Sequence, residues 1–313
     1  MHFTTWPESV IKIADFKSTE VDSRPLRTVA YEVERYILTG ESDPLYFAWS
    51  GDFMERANRA HEDLRGALVR EVFRLAQGYS HKPVPDVDTV VLTRAKVEPM
   101  VRGLFPRAEQ DSVLGALERS VVFLSSGNIE PVLMGRGFDR LAWDLANLYL
   151  CSMGAPLLSE DAPRLVGLSE ETTCYVSSDY FADDDPFADF VIHETAHIFH
   201  NCKRETLGLR STRRKEWLLD IDFHKRETFA YSCEAYARIV ARAKNITDRR
   251  TLAEEYGSVS LIFDDRADTA EVASILKEAV MARNGWKVIL SRCAPGPRPH
   301  VQRVEPAVTS EFL

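Results

Sequence analysis

The stretch Asp185-Pro-Phe-Ala-Asp-Phe-Val-Ile-His-Glu-Thr-Ala-His-Ile-Phe-His200 constrains this chain more than any other. Its apolar residues Val191, Ile192, Ala196, Ile198 and Phe199 predict a buried helix. Asp185 reads as the N-cap and Pro186 as the first helical residue. On a helix, His193 and His197 lie four apart and share one face, one turn above the other. Glu194 stands beside the first of them. Two histidines and an acid on an apolar helix are costly to bury without partners. A metal ion supplies those partners, and Glu194 is then placed to act as a base on water held there.

Whether the rest of the chain suits such a site depends on its size and charge. The 313 residues are long enough for a large core, and 45% hydrophobic with 28% charged residues reads as globular. A net charge of −9 argues against nucleic acid as a partner. Five cysteines without a CxxC pair exclude a disulfide framework and a cysteine-based zinc site. The first residues lack a basic-then-apolar leader, and no apolar run reaches membrane-spanning length. The expected setting is therefore the cytoplasm, with no membrane partner.

Periodicity predicts a mainly helical α+β chain. Helices are expected over Pro25–Leu38 (ended by Gly40), Asp52–Gln77 (with a stripe of Ala57, Leu64, Leu68, Val72 and Leu75), Ala108–Arg119 and Gly137–Met153. In the last of these Phe138, Leu141, Leu145, Leu148 and Tyr149 are expected to point inward. Val87–Phe105 divides into a strand-like Thr89-Val-Val-Leu-Thr93 and a helix-like remainder. Val121–Ser126 and Glu171–Ser178 read as strands, and Pro156–Leu168 as loop. Asp183-Asp-Asp185 reads as a solvated acidic turn rather than a calcium loop. The organisation expected is a helical N-terminal region over residues 1–117 (recognition or regulatory), a mixed catalytic region over 118–293, and a proline-rich tail over 294–313.

Asp222–Val240 forms a second strongly helical stretch, on which Glu227, Tyr231 and Glu234 share a face. An HExxH helix followed by a loop and a helix carrying Glu resembles the gluzincins, zinc peptidases with two His and one Glu as ligands. Arg226-Glu-Thr-Phe-Ala-Tyr-Ser-Cys-Glu234 is similar to the third-ligand helix of the aminopeptidase N family. The resemblance covers some fifty residues. It implies a zincin-like catalytic domain with a small sheet, with His193, His197 and Glu227 as metal ligands. It also implies that Ala230 lets the two helices approach, and that Glu234 orients a histidine from behind, ligation by Glu234 itself being the rival assignment. The same layout places an edge strand before the HExxH helix to pair with an extended substrate, for which Thr172–Ser177 is the candidate. That family's Gly-Ala-Met-Glu-Asn signature, which binds a substrate amino terminus, is absent. Aminopeptidase activity is therefore not implied. The metzincin pattern fails, since His200 and Lys203 stand where it needs Gly and His.

The expected function is a zinc-dependent peptidase acting on a protein or peptide, with one Zn²⁺ and Glu194 as general base. His200 and Tyr231 are candidate contacts to substrate or oxyanion. Tyr236 is read as core packing, and His224 as part of simple electrostatics at the helix start. Two other functions use the same residues. An Fe²⁺-dependent peptide or protein hydroxylase also needs two His and a carboxylate. A non-catalytic zincin-fold binding protein needs no base, so Glu194 speaks against it.

Overall fold

The computed structural model describes residues 28–81, 85–135, 138–212, 215–259 and 264–296. The early helices begin at side chains that satisfy their first N–H groups. In α1 (Val29–Thr39) Thr28 accepts from the Tyr31 N–H, and Gly40 ends the helix at φ 72°. A Cβ on Gly40 would lie 2.7 Å from the Trp143 ring, so backbone angle and close packing both require glycine. The start expected at Pro25 lies outside the described residues, as do the lead-in and the tail from residue 297. α2 (Phe53–Leu75) opens with a capping box between Asp52 and Glu55. It buries Leu64, Leu68 and Val72 as its periodicity predicts, while Ala57 and Leu75 are half-buried.

α3 (Thr89–Leu104) corrects one expectation. The strand-like Thr89-Val-Val-Leu-Thr93 is its first turn and a half. Asp88 Oδ1 accepts from the N–H groups of Val90 and Val91 at 2.9 and 3.1 Å. That cap and the helical spacing of buried Thr93, Val97, Met100, Val101 and Leu104 outweigh the local β preference. α4 (Arg107–Leu117) follows as expected. After β1 (Val121–Phe123) come the short α5 (Ile129–Met134) and α6 (Asp139–Ser152). Leu141, Leu145, Leu148 and Tyr149 of α6 are buried as expected, but Phe138 is 65% exposed. Phe138 occupies the N-cap with extended backbone, so its side chain leaves the helical stripe.

The sheet has the order β1-β3-β2. β2 (Gly167–Glu170) begins inside the stretch read as loop and pairs antiparallel with β3 (Thr173–Val176) across a two-residue turn at Glu171. β1 pairs parallel with β3, Val121 opposite Cys174 and Phe123 opposite Val176. β3 is therefore the central strand. The segment expected to offer a free edge to a substrate has both edges occupied, and β1 and β2 are the edge strands instead.

Strand alternation makes the sheet a wall between two apolar clusters. Cys174 and Val176 face one, Tyr175 the other. The first cluster joins α3 and α4 to α7 (Phe190–Asn201), α8 (Arg226–Arg242), α9 (Ile246–Val259), α10 (Thr269–Met281) and α11 (Gly285–Cys293). The second joins α1 and α2 to α5 and α6. Inside it Arg65 is 0% exposed and donates from Nε and Nη2 to Asp139 Oδ1, both at 3.1 Å. Its Nη1 donates to the Leu133 carbonyl at 2.8 Å, and Ser42 Oγ donates to Asp139 Oδ2 at 2.7 Å. A buried ion pair with its remaining lone pairs satisfied is stable only as a unit. Among the described residues no helix is long and apolar enough to cross a membrane.

Candidate metal centre

α7 starts four residues later than the sequence suggests. Its N-cap is Asp189, whose side chain accepts from the Ile192 N–H, and not Asp185. Asp185 instead accepts from the Phe187 N–H at 2.8 Å in an exposed turn, where Asp183 likewise accepts from the Asp185 N–H at 3.1 Å. The acidic run is thus a hydrogen-bonded turn. The later start changes nothing about the spacing of His193 and His197. α8 is preceded by a single 3₁₀ turn over Phe223–Lys225 and packs against α7, with Ala196 and Ala230 both fully buried in the shared cluster.

This packing brings His193, His197 and Glu227 together, with one ligand atom from each within 4.8 Å of the others. The two Nε2 atoms lie 3.2 Å apart. Glu227 Oε2 stands 3.4 Å from His197 Nε2 and 3.6 Å from His193 Nε2. These separations test whether an ion fits. Zinc bonds to imidazole and carboxylate are about 2.0–2.2 Å long, and a tetrahedron with such bonds has edges of about 3.3–3.6 Å. At 3.2, 3.4 and 3.6 Å the three atoms are spaced as a small divalent cation needs them on one side.

The electrostatics favour a cation at this point. Burial opposes charge on Glu227, yet the two imidazoles beside it hold its carboxyl well below the usual carboxylate range. Burial likewise opposes charge on His193, while hydrogen bonds to Glu227 and Glu234 hold its pKa well above the ordinary histidine value. What favours a proton there favours a divalent cation in its place.

Each histidine is held from behind. His193 Nδ1 lies 3.0 Å from Glu234 Oε2. Glu234 Oε1 accepts the Asp189 backbone N–H at 2.6 Å, and Asp189 Oδ2 accepts from Lys96 Nζ at 2.6 Å. The residue that caps α7 therefore also anchors the acid behind its first ligand. Glu234 is turned away from the three ligand atoms, the placement of an orienting residue. His197 Nδ1 lies 3.0 Å from His200 Nε2, and His200 Nδ1 lies 3.0 Å from Asn201 Oδ1. Burial first, then the nearby His197 and Arg226, push the His200 pKa down to about 2, which keeps it neutral and able to accept. With its Nε2 engaged by His197, His200 sits behind a ligand and not on the open side. Replacing Glu234 with Ala is expected to weaken divalent-metal binding by about 10–100-fold, as read by chelator competition, because His193 loses the group that fixes its ring.

Glu194 is buried beside the cluster, and burial raises its pKa. Its carboxylate lies over Gly167, where a Cβ would stand 2.5 Å from Glu194 Oε1. The start of β2 thus passes directly under the acid. Ser177 N–H donates to the Val166 carbonyl, so Val166, Leu168 and Glu170 face β3 with their backbone bonds. Gly167, itself buried, and Ser169 turn theirs to the other edge of β2, on which no strand pairs among the described residues. Tyr231 stands edge-on to His193 with ring centroids 4.6 Å apart, and burial raises its phenol pKa. Tyr236 packs against Trp286 at 4.8 Å in the core, and His224 is exposed against Phe223.

Two neighbours of the cluster escaped the sequence reading. Gly167 carries no motif and is identified only by the acid above it. Arg266, whose Nη1 lies 2.8 Å from Glu227 Oε1, comes from a segment with no spacing rule to the ligands. No protein-family model, curated protein or solved structure matches the chain.

Proposed function

We propose that this protein is a zinc-dependent peptidase that hydrolyses a peptide bond in an extended protein or peptide segment. The observation that carries the reading is a tetrahedral face of two imidazole nitrogens and one carboxylate oxygen with a buried acid, Glu194, beside it and an edge strand under that acid. A zinc ion held by His193, His197 and Glu227 would supply a Lewis acid that acidifies water and polarises a carbonyl. Glu194, its basicity raised by burial, takes the proton of the attacking water and returns it to the leaving amine. The outward N–H and C=O groups of Gly167 and Ser169 pair with the substrate backbone as an added strand and fix its register against Glu194. Tyr231, beside His193, is the candidate donor to the developing oxyanion. Glu234 and His200 keep the two imidazoles in register for ligation. The arrangement resembles the gluzincin layout in its two helices and in the strand beside the first of them.

A hydroxylase using Fe²⁺ would employ the same three ligands. The metal and the product distinguish the readings. The test is metal analysis of anaerobically purified full-length protein, followed by mass spectrometry of a mixed peptide library. The expected result is stoichiometric zinc, with cleaved peptides that vanish on chelation and return with Zn²⁺. Iron together with cosubstrate-dependent hydroxylated peptides of unchanged length would overturn the proposal.

A further inference from the structure

We propose that Arg266 is a positioning residue that holds Glu227 to ligation through a single oxygen and so keeps a further position on the metal open. The inference rests on the metal-site reading above. A carboxylate has two oxygens, and both can close on one ion unless something else engages the second. Here the two are already divided. Glu227 Oε2 faces both imidazole Nε2 atoms, at 3.4 and 3.6 Å. Oε1 is turned to Arg266 Nη1 at 2.8 Å. An ion pair of that length draws Oε1 toward the guanidinium, so closing both oxygens on one ion would cost that contact.

Arg266 can enforce this because its own fork is pinned. Its Nε and Nη2 donate to Asp264 Oδ1 and Oδ2 at 2.9 and 2.7 Å, and its backbone N–H donates to Asp264 Oδ1 at 2.9 Å. The plane of the guanidinium is thereby set before it meets Glu227. A lysine would bring the charge without the fork. The Arg266 side chain is about half exposed, in contrast to the mostly buried ligands, so its replacement leaves the core between α7 and α8 intact. The pair also ties the segment ahead of α10 to the ligand helix, so the third ligand is oriented by a part of the chain that belongs to neither motif.

The experiment uses Co²⁺ as the probe in the full-length protein. Its visible absorption weakens when a four-coordinate site gains a fifth ligand, and affinity is read by chelator competition. Arg266→Ala is expected to fold, as judged by far-UV circular dichroism, to bind Co²⁺ about 10–100-fold less tightly, and to show the weaker absorption of a five-coordinate ion. Arg266→Lys recovers part of the affinity and not the spectrum. Asp264→Asn, which keeps the arginine and removes half its pin, moves both readings the same way by less, and it carries the test if Arg266→Ala does not fold. Wild-type absorption and affinity in Arg266→Ala would overturn the proposal, as would full recovery of both by Arg266→Lys. A wild-type protein that takes up no Co²⁺ defeats the metal-site reading along with this one. Normal wild-type loading with an unaltered variant defeats this one alone.

Discussion

Glu194→Gln is expected to lower kcat for the proposed peptide hydrolysis by about 10²–10⁴-fold, the range contributed by a positioned general base. Glutamine nearly matches glutamate in shape, so the side chain keeps its place over Gly167 and the three ligands keep theirs. Zinc content should therefore stay at the wild-type value, and KM should change little, since the lost interaction belongs to the transition state. Stability provides an independent check with a definite sign. Burial raises the pKa of Glu194, so the native state binds its proton more tightly than the unfolded chain does. Such a group withdraws stability as pH rises from the ordinary carboxylate range through the raised pKa. Glutamine carries no charge to desolvate, and with both proteins stripped of metal the variant should melt at or above the wild-type temperature at neutral pH. An unchanged kcat in a zinc-loaded variant would remove Glu194 from the mechanism.

Arg65→Met is expected to destabilise the fold by about 3–5 kcal/mol, the usual consequence of leaving one member of a buried ion pair alone. Arg65 has no exposed surface, and it supplies two of the hydrogen bonds to Asp139 Oδ1 and the one to the Leu133 carbonyl. Its removal leaves the Asp139 carboxylate without its arginine in the cluster between α2 and α6, with Ser42 Oγ and Tyr46 Oη still donating to Oδ2. Denaturant unfolding would measure the loss, which is a large part of a domain's typical stability of about 5–15 kcal/mol. The double variant Arg65→Met with Asp139→Leu should regain most of it, because no unpaired charge is then left inside. If the single and double variants lose the same amount, volume and not charge governs the position.

The parts of the molecule that could be read from one dimension share a property: they depend on neighbours within a turn or two. His193 and His197 meet because four residues make one turn of helix, wherever that helix begins. The reading therefore survived a start at Asp189 in place of Asp185. The stripe of α2, the inward face of α6 and the stop at Gly40 were legible for the same reason. Glu227 was legible through the similarity of its helix to a known ligand helix, although its meeting with the histidines is a tertiary contact.

Misreadings arose where a local preference competed with something distant or with a cap. Thr89-Val-Val-Leu-Thr93 has strand-forming residues, but Asp88 and the buried stripe that follows make it a helix. Thr172–Ser177 holds a strand, as its alternation predicts, but not an edge, because β1, from another part of the chain, occupies its second side. The alternation of a strand reveals its faces but never its neighbours, since both edges present the same backbone groups. Gly167 under Glu194, Lys96 on Asp189 and Arg266 on Glu227 are likewise invisible in sequence, each joining residues that no periodicity connects. Local spacing thus dictated which side chains can bind a metal. Burial of the α7–α8 face and the order of three short strands dictated what holds those side chains, what lies beneath the acid and which edge stays open. Contacts of that kind join residues distant in the chain and exist only where the cores on either side of the sheet pack them together.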